Sequence, residues 1–517
     1  MAHLTIVLFA LSAIFFPQLS RALPYGLDNR EVSTGGFDPS RLTKDTLSTA
    51  QNRGRSSVLP LKRSAQKITS MGLGDQYDVI YDVVIQIGNI STPVQLDTGS
   101  SDLWVITDAC KTQSCNSTTS PRYPSASVSN PELNFTIDYG DSLHRAMVSG
   151  SINSDSVQFA GFSMSNQLFG AVNVSNTSVH QFNDAGIVGF GFPLLSAIER
   201  DSARSSSDLA SGQRNLADQF FSAMAENGTL LSRLAVSGQL EQAMFSLALQ
   251  RDVIDISSNP GRLTLGGLPN GIDNKSLTWV PVRLYTEENG GAAPPSFAPS
   301  ETYPLYWEVM LDAVYFDGKK LPNPTGNISQ GVSALIDSGT SFILGPQNNI
   351  QQIFGTACDT QHTLAFEIGG KMFPVDPRDL LSQQLRGNPS VYNACVASDS
   401  FATDPAQRGA LFSWVLGDTF FKSNLIAFYF GNLTHPSADP PRIGFLSTVS
   451  SDASKTFTAD IKKAQEDRGA FTYTSDSPYV AATATATARS SASGMHVTDS
   501  IYMPLFTSLA LFSLLRL

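Results

Sequence analysis

Charge is what this sequence has least of. Only 15% of its 517 residues are Asp, Glu, Lys or Arg, and acids outnumber bases 45 to 34, for a net charge of −11. Without a basic surplus the chain lacks the electrostatic footprint of a nucleic-acid binder, and that partner is excluded. Histidine is equally scarce. The six His residues form no HExxH or other ligand spacing, and neither cysteine pair has ligand-type neighbours, so no metal site is expected. Ser100 and Ser101 sit in no Gly-x-Ser-x-Gly elbow, which removes that route to a serine nucleophile. Extended apolar stretches are confined to the two ends.

The first of these, Leu4-Thr5-Ile6-Val7-Leu8-Phe9-Ala10-Leu11, precedes the small residues of Ser20-Arg21-Ala22, which predicts a secretory signal peptide over 1–22. Export changes how the four cysteines are read: an even number in an oxidising compartment implies two disulfides, one per half. Nine Asn-x-Ser/Thr sequons support the same route, at Asn89, Asn116, Asn134, Asn173, Asn176, Asn227, Asn274, Asn327 and Asn432. Residues 23–63 are polar and carry seven Lys or Arg against four Asp or Glu, ending in the dibasic pair Lys62-Arg63. This predicts a pro-segment removed by a processing protease, its basic charge suited to covering an acidic cleft until the carboxylates protonate. At the far end an Ala/Thr/Ser-rich stretch over 451–493 reads as an O-glycosylated stalk, and 494–517 supplies a short polar spacer and an apolar tail. That tail is a little short for the roughly 20 residues of a bilayer span, so it predicts a glycosylphosphatidylinositol (GPI) attachment signal.

Between the ends, 39 Gly and 28 Pro favour turn-rich β structure, and the length exceeds what one core supports. Apolar β-branched and aromatic runs predict strands over 77–88, 133–139, 157–162, 243–249, 263–268 and 277–282, with helices over 216–224 and 349–354. One short pattern occurs twice. Asp97-Thr98-Gly99-Ser100 lies between apolar runs, and Asp337-Ser338-Gly339-Thr340 repeats the arrangement 240 residues later. Two copies in matching frames suggest two equivalent halves, each offering one carboxylate to a shared site.

With these loops stand Ile187-Val188-Gly189 and Val415-Leu416-Gly417, together with Leu263-Thr264-Leu265-Gly266-Gly267, Trp279-Val280-Pro281-Val282 and Trp307-Glu308-Val309. On these motifs the chain from about Tyr77 to Ser447 resembles the pepsin-like aspartic proteases, and with its leader and anchor signals it looks nearest to the GPI-anchored, yapsin-like proteases of fungal cell surfaces. The resemblance implies a mostly β, bilobal fold, two pseudo-twofold-related lobes (64–255 and 256–450) with a substrate cleft between them. It implies an endopeptidase acting on extended protein substrates at acidic pH, with Asp97 and Asp337 as the catalytic pair, no cofactor, no metal, and a monomeric enzyme. Thr98 and Ser338 are expected to bond across to the opposite loop, Ser100 and Thr340 to bond the outer carboxylate oxygens, and Gly99 and Gly339 to permit the turns. Tyr139, Gly140 and Asp141 resemble the flap that closes over substrate, with Trp104 packed against Tyr139. The Ser142-Leu143-His144 that follows departs from the family's usual second glycine and points to an altered flap tip. The family's disulfides fall at Cys110–Cys115 and Cys358–Cys395. Asp418 reads as structural. The competing reading is a non-catalytic pepsin fold used for binding or wall interaction, which loss of either Asp would have favoured.

Overall fold

The computed structural model describes residues 66–466, except 77, 130, 141–144, 206–215, 252–260, 325–329, 355–360 and 381–410. The predicted signal peptide, pro-segment and anchor signal lie outside the described residues, as do Asp141, Cys358, Cys395 and Asn327. Among the described residues strands dominate, arranged in four sheets. The largest runs Gly74–Gln76, Ile80–Ile87, Ile90–Asp97, Gly186–Gly189, Leu103–Ile106, Phe162–Ser175, Arg145–Phe159, Asn134–Gly140. A four-stranded sheet in the second half runs Glu308–Met310, Ser333–Ile336, Trp414–Leu416, Ile343–Leu344.

These two sheets carry the same local topology. In each, an antiparallel strand leads to the strand that bears the Asp loop, which then pairs in parallel with the apolar-apolar-Gly strand, and that strand pairs antiparallel with the one leaving the loop. The central parallel pairs are covered on both faces, which is why Leu96, Ile187, Val188, Leu335, Ile336, Val415 and Leu416 are all apolar and buried. The repeated motif is thus the sequence trace of a repeated fold.

The remaining sheets complete the scaffold. Lys319–Lys320, Ala313–Phe316, Leu364–Ile368 and Lys371–Val375 form a second four-stranded sheet. The six-stranded sheet runs Thr69–Gly72, Arg262–Leu265, Met244–Ala248, Asn424–Tyr429, Arg442–Ser447, Thr278–Pro281, and so takes strands from both halves of the chain. Its core is aromatic: Phe245 stacks on Phe428 at 4.6 Å, with Trp307 edge-on to both. The segment 64–255 is therefore not self-contained, because its first and last strands pair with partners beyond it.

Several expectations shift. The predicted strand over 157–162 contains a hairpin turn, with Ala160 and Gly161 at φ 47° and 79° between Arg145–Phe159 and Phe162–Ser175. The apolar run there is the meeting of two strand ends. Helix Ala197–Arg204 was not expected, yet it opens on an N-cap in which Ser196 Oγ accepts from Glu199 N at 2.9 Å. Leu230–Val236 likewise starts on Thr229, whose Oγ1 accepts from Ser232 N. The expected stalk is corrected at its start. Residues Ala453–Glu466 form a helix with Ala453 and Phe457 buried, and Arg378 Nη1 donates to Thr456 Oγ1 at 3.3 Å. Two apolar residues four apart make one helical face, a signal too sparse to stand out among Ser, Thr and Lys.

Candidate active site

Asp97 ends strand Ile90–Asp97, and Asp337 follows Ser333–Ile336 directly. Beside each, the parallel neighbour reaches a glycine where the returning loop passes close. A Cβ on Gly189 would lie 2.3 Å from the Ser101 carbonyl carbon, and one on Gly417 2.0 Å from the Thr340 oxygen. The two loops then lock across the halves. Thr98 Oγ1 donates to Ile336 O at 2.9 Å, and Ser338 Oγ donates to Leu96 O at 3.0 Å. The same hydroxyls accept from the opposite backbone, Thr98 Oγ1 from Ser338 N at 2.9 Å and Ser338 Oγ from Thr98 N at 3.2 Å. Each hydroxyl both gives and accepts, so four buried backbone groups are satisfied and the two turns are held in fixed relation.

Each carboxylate is held by its own loop. Gly99 N and Ser100 N donate to Asp97 Oδ1 at 2.8 and 3.2 Å, and Ser100 Oγ donates to Oδ2. Gly339 N donates to Asp337 Oδ1 at 2.8 Å, and Thr340 Oγ1 to Oδ2 at 2.7 Å. Each Oδ1 also reaches over the facing loop: a Cβ on Gly99 would fall 2.4 Å from Asp337 Oδ1, and one on Gly339 would fall 2.3 Å from Asp97 Oδ1. Only glycine leaves room for the two carboxyls to meet.

Burial raises both acids, but not equally. Asp97 is restrained by the Ser100 hydroxyl and the Gly99 and Ser100 N–H groups. Asp337 is driven well above the usual range by burial first and then by the negative charge of Asp97. Two buried carboxyls so close hold one proton between them and titrate as one unit. Such a pair can take a proton from a water with one member and give a proton to a carbonyl oxygen with the other.

The family model of the eukaryotic aspartyl proteases matches residues 80–438, a span that contains both loops. The chain belongs to that family. It is 25% identical to pepsin A of Sus scrofa over 410 residues, which cover 74% of this chain and 87% of that protein. It is 24% identical to major aspartyl peptidase 1 of Cryptococcus neoformans over 426 residues, 75% of this chain and 73% of the relative. Pregnancy-associated glycoprotein 1 of Sus scrofa is 25% identical over 381 residues, 69% of this chain and 79% of its own.

In this aspartyl protease Tyr139 and Gly140 end strand Asn134–Gly140. Trp104 Nε1 donates to the Tyr139 hydroxyl at 2.6 Å, with the rings 6.4 Å apart and both buried. Behind Trp104 stands buried His180, edge-on at 5.9 Å, its ring held by Ser175 Oγ and the Asp184 carbonyl and its pKa pushed down to about 4 by burial. Cys110 and Cys115 are joined, and Arg122 donates to both of their carbonyls, at 3.0 and 2.6 Å. Eight of the sequon residues, all but Asn327, are described, and each is exposed. Among the described residues no group of three or more His, Cys, Asp or Glu is placed to hold a metal.

Two acids near the pair were not singled out from sequence as part of the site. Asp102 accepts from Ser196 Oγ and from Ala197 N at 2.8 Å, tying the loop of Asp97 to the start of helix Ala197–Arg204, and burial pushes it to about 6. Asp418 is buried, its N donates to Thr340 O at 2.8 Å, and its carboxyl has no hydrogen-bond partner among the described residues. Burial drives it well above the usual range, Lys422 opposing and Asp337 reinforcing. Asp102 is five residues from Asp97 along the chain, and Asp418 directly follows Val415-Leu416-Gly417. Asp418 is 81 residues from Asp337, and only the fold brings them together.

Proposed function

We propose that this aspartyl protease is an active endopeptidase that hydrolyses extended protein substrates at acidic pH. The observation that carries the proposal is the crossed hydrogen bonding of Thr98 and Ser338, which holds two buried carboxyls each over the other's glycine. Like charges so close cannot both ionise, an effect for which the aspartic proteases are themselves the known instance. Asp97 as carboxylate takes a proton from a water, and the oxygen of that water attacks the scissile carbonyl. Asp337 as acid protonates the carbonyl oxygen, giving a neutral tetrahedral species. The proton gained by Asp97 then passes to the leaving amine as the carbon–nitrogen bond breaks, and a hydroxyl of the tetrahedral species returns its proton to Asp337, restoring the pair. Tyr139 closes over substrate as the flap residue.

The same reading makes the enzyme a monomeric, glycosylated, GPI-anchored protein of the cell surface, yapsin-like, released from its pro-segment at Lys62-Arg63. The terminal sequence signals support it, and the eight exposed sequon residues agree with glycosylation. No described helix is long and apolar enough to cross a membrane.

Purified chain is expected to digest a denatured protein at acidic pH and to be inhibited by a statine-type transition-state analogue. Asp97→Asn and Asp337→Asn should each lower the rate by at least about a thousandfold, as loss of an acid–base group does. Substrate binding without cleavage by the unaltered chain would favour the competing non-catalytic reading. Phospholipase C should release the surface form, with an N-terminus near Ser64; retention on the membrane would exclude the anchor.

A further inference from the structure

The chain has four tryptophans, and three of them, Trp104, Trp307 and Trp414, are fully buried. Trp279 is the exception. It is only partly buried, on Thr278–Pro281, the last strand of the six-stranded sheet. The indole lies across its cross-strand partner Gly444, where a Cβ would fall 2.9 Å from Cδ2 and Cε2. Beside it stands Arg442, its guanidinium 5.5 Å from the indole centre and 4.0 Å from that of Tyr429. A large apolar ring is thus left partly in water on an edge strand, where Pro281 already removes one N–H that could recruit another strand.

The ring nitrogen has a neighbour with chemistry of its own. Nε1 donates to Asn274 Oδ1 at 3.0 Å and to the Asn274 carbonyl at 3.3 Å. An indole N–H needs an acceptor, so the contact settles the amide: Oδ1 faces the ring, and Nδ2 is the outer end of an exposed side chain. Asn274-Lys275-Ser276 is one of the nine sequons. Asn116 and Asn134 donate Nδ2 to the Lys111 and Glu132 carbonyls, and Asn176 and Asn432 accept from backbone N–H groups. Among the described sequons, Asn274 is the one bonded to an aromatic ring.

We infer that Asn274 carries an N-linked glycan whose first sugar packs on the exposed part of Trp279, making the glycan a structural part of this sheet edge. The inference rests on the proposed route through the secretory pathway. In the linkage Nδ2 gives up one proton and bonds to C1 of an N-acetylglucosamine, as the bond from C1 to a lipid pyrophosphate breaks and that group leaves. Oδ1 takes no part, so Nε1 keeps its acceptor and the sugar starts beside the ring. The C–H face of a pyranose is apolar, and laying it on the indole removes apolar surface from water.

The test uses the chain purified from a eukaryotic secretory host. Peptide mass spectrometry reads occupancy, and iodide quenching of tryptophan emission reads exposure. Iodide stays in the solvent and reaches Trp279 while the other three tryptophans are buried. Ser276→Ala removes the sequon without altering Asn274 or Trp279, and should roughly double the quenching constant. Ser91→Ala removes the sequon of Asn89, in a turn of the eight-stranded sheet, and should leave the constant unchanged. Endoglycosidase H leaves one N-acetylglucosamine at each site, and the protection should survive it. In a Trp279→Phe background the effect of Ser276→Ala should vanish. A bare Asn274 on a chain glycosylated elsewhere overturns the inference and leaves the secretory reading intact. So does unchanged quenching in Ser276→Ala, protection lost to endoglycosidase H, or an effect that persists in Trp279→Phe. A chain with no glycan at any sequon overturns both.

Discussion

At the scale of single residues, Ser338 shows how little separates a positioned acid from an ordinary one. Its hydroxyl donates to Leu96 O and accepts from Thr98 N, linking strands that leave different halves of the chain. Ser338→Ala strands both groups in a buried site, at a cost of about 3 kcal/mol. The urea midpoint is expected to fall accordingly, and kcat to fall more than KM rises, because substrate contacts persist while the carboxyls lose their register. An unchanged kcat would mean that the cross-loop bonds do not position the pair. The motif residues were legible because the chemistry is local: a carboxylate needs neighbouring N–H donors, and a crowded approach needs glycine. The burial of Gln95, in a strand, and of Asp418, at the start of helix Asp418–Phe421, was not, since a polar residue looks solvent-facing until its neighbours are known.

Among the elements, the helix Ala453–Glu466 is the clearest departure from expectation. Residues 451–493 read as a stalk, but the first part of that stretch folds back and buries Phe457 against the body, where Arg378 meets Thr456. Phe457→Ala should cost about 3 kcal/mol, the usual range for emptying a buried aromatic site. A lowered urea midpoint checks it, while an exposed alanine on the same helix, such as Ser454→Ala, should shift it hardly at all. Equal effects would mean that the helix hangs free of the core. The strands were easier to foresee than this helix, because repeated alternation over many residues outweighs two apolar residues in a polar segment. The hairpin at Ala160 and Gly161 escaped notice for the opposite reason, its turn lying inside the mostly apolar stretch 157–162, which reads as one strand.

Over the whole molecule, buried acids set the response to pH. Burial holds Asp82 and Asp102 at about 6 and raises Asp184, Glu199 and Asp418 well above the ordinary range. Their folded pKa values exceed their unfolded ones, so the stability they contribute is complete below about pH 4 and is lost as pH rises through the folded values. Other groups act in the opposite sense, His180 and Asp379 the most deeply buried of them. His180, pushed down to about 4 by burial, loses its contribution as pH falls from about 6.5 to 4. Asp379 is held low by Arg251 in spite of burial and loses its contribution below about pH 4. The raised acids, with Asp97, Asp337 and Glu308 among them, outweigh the single histidine, so Tm should peak near pH 4 and drop by an amount on the order of 10 °C by pH 7. Calorimetry across that range checks it, and a Tm that rises toward neutrality would show that the buried acids are not neutral in the fold.

The sequence by itself determined the two Asp loops, the glycines and hydroxyls beside them and the mostly β character, while the Trp104–Tyr139 partnership was implied by the family resemblance. These follow from local chemistry and from alternation that a strand must show. Only the tertiary structure decided that Thr69–Gly72 pairs with Arg262–Leu265, that one sheet is shared between the halves, and that Asp418 stands beside the pair. Those relations join residues far apart in the chain. They are chosen by register and packing, which no short window of sequence contains.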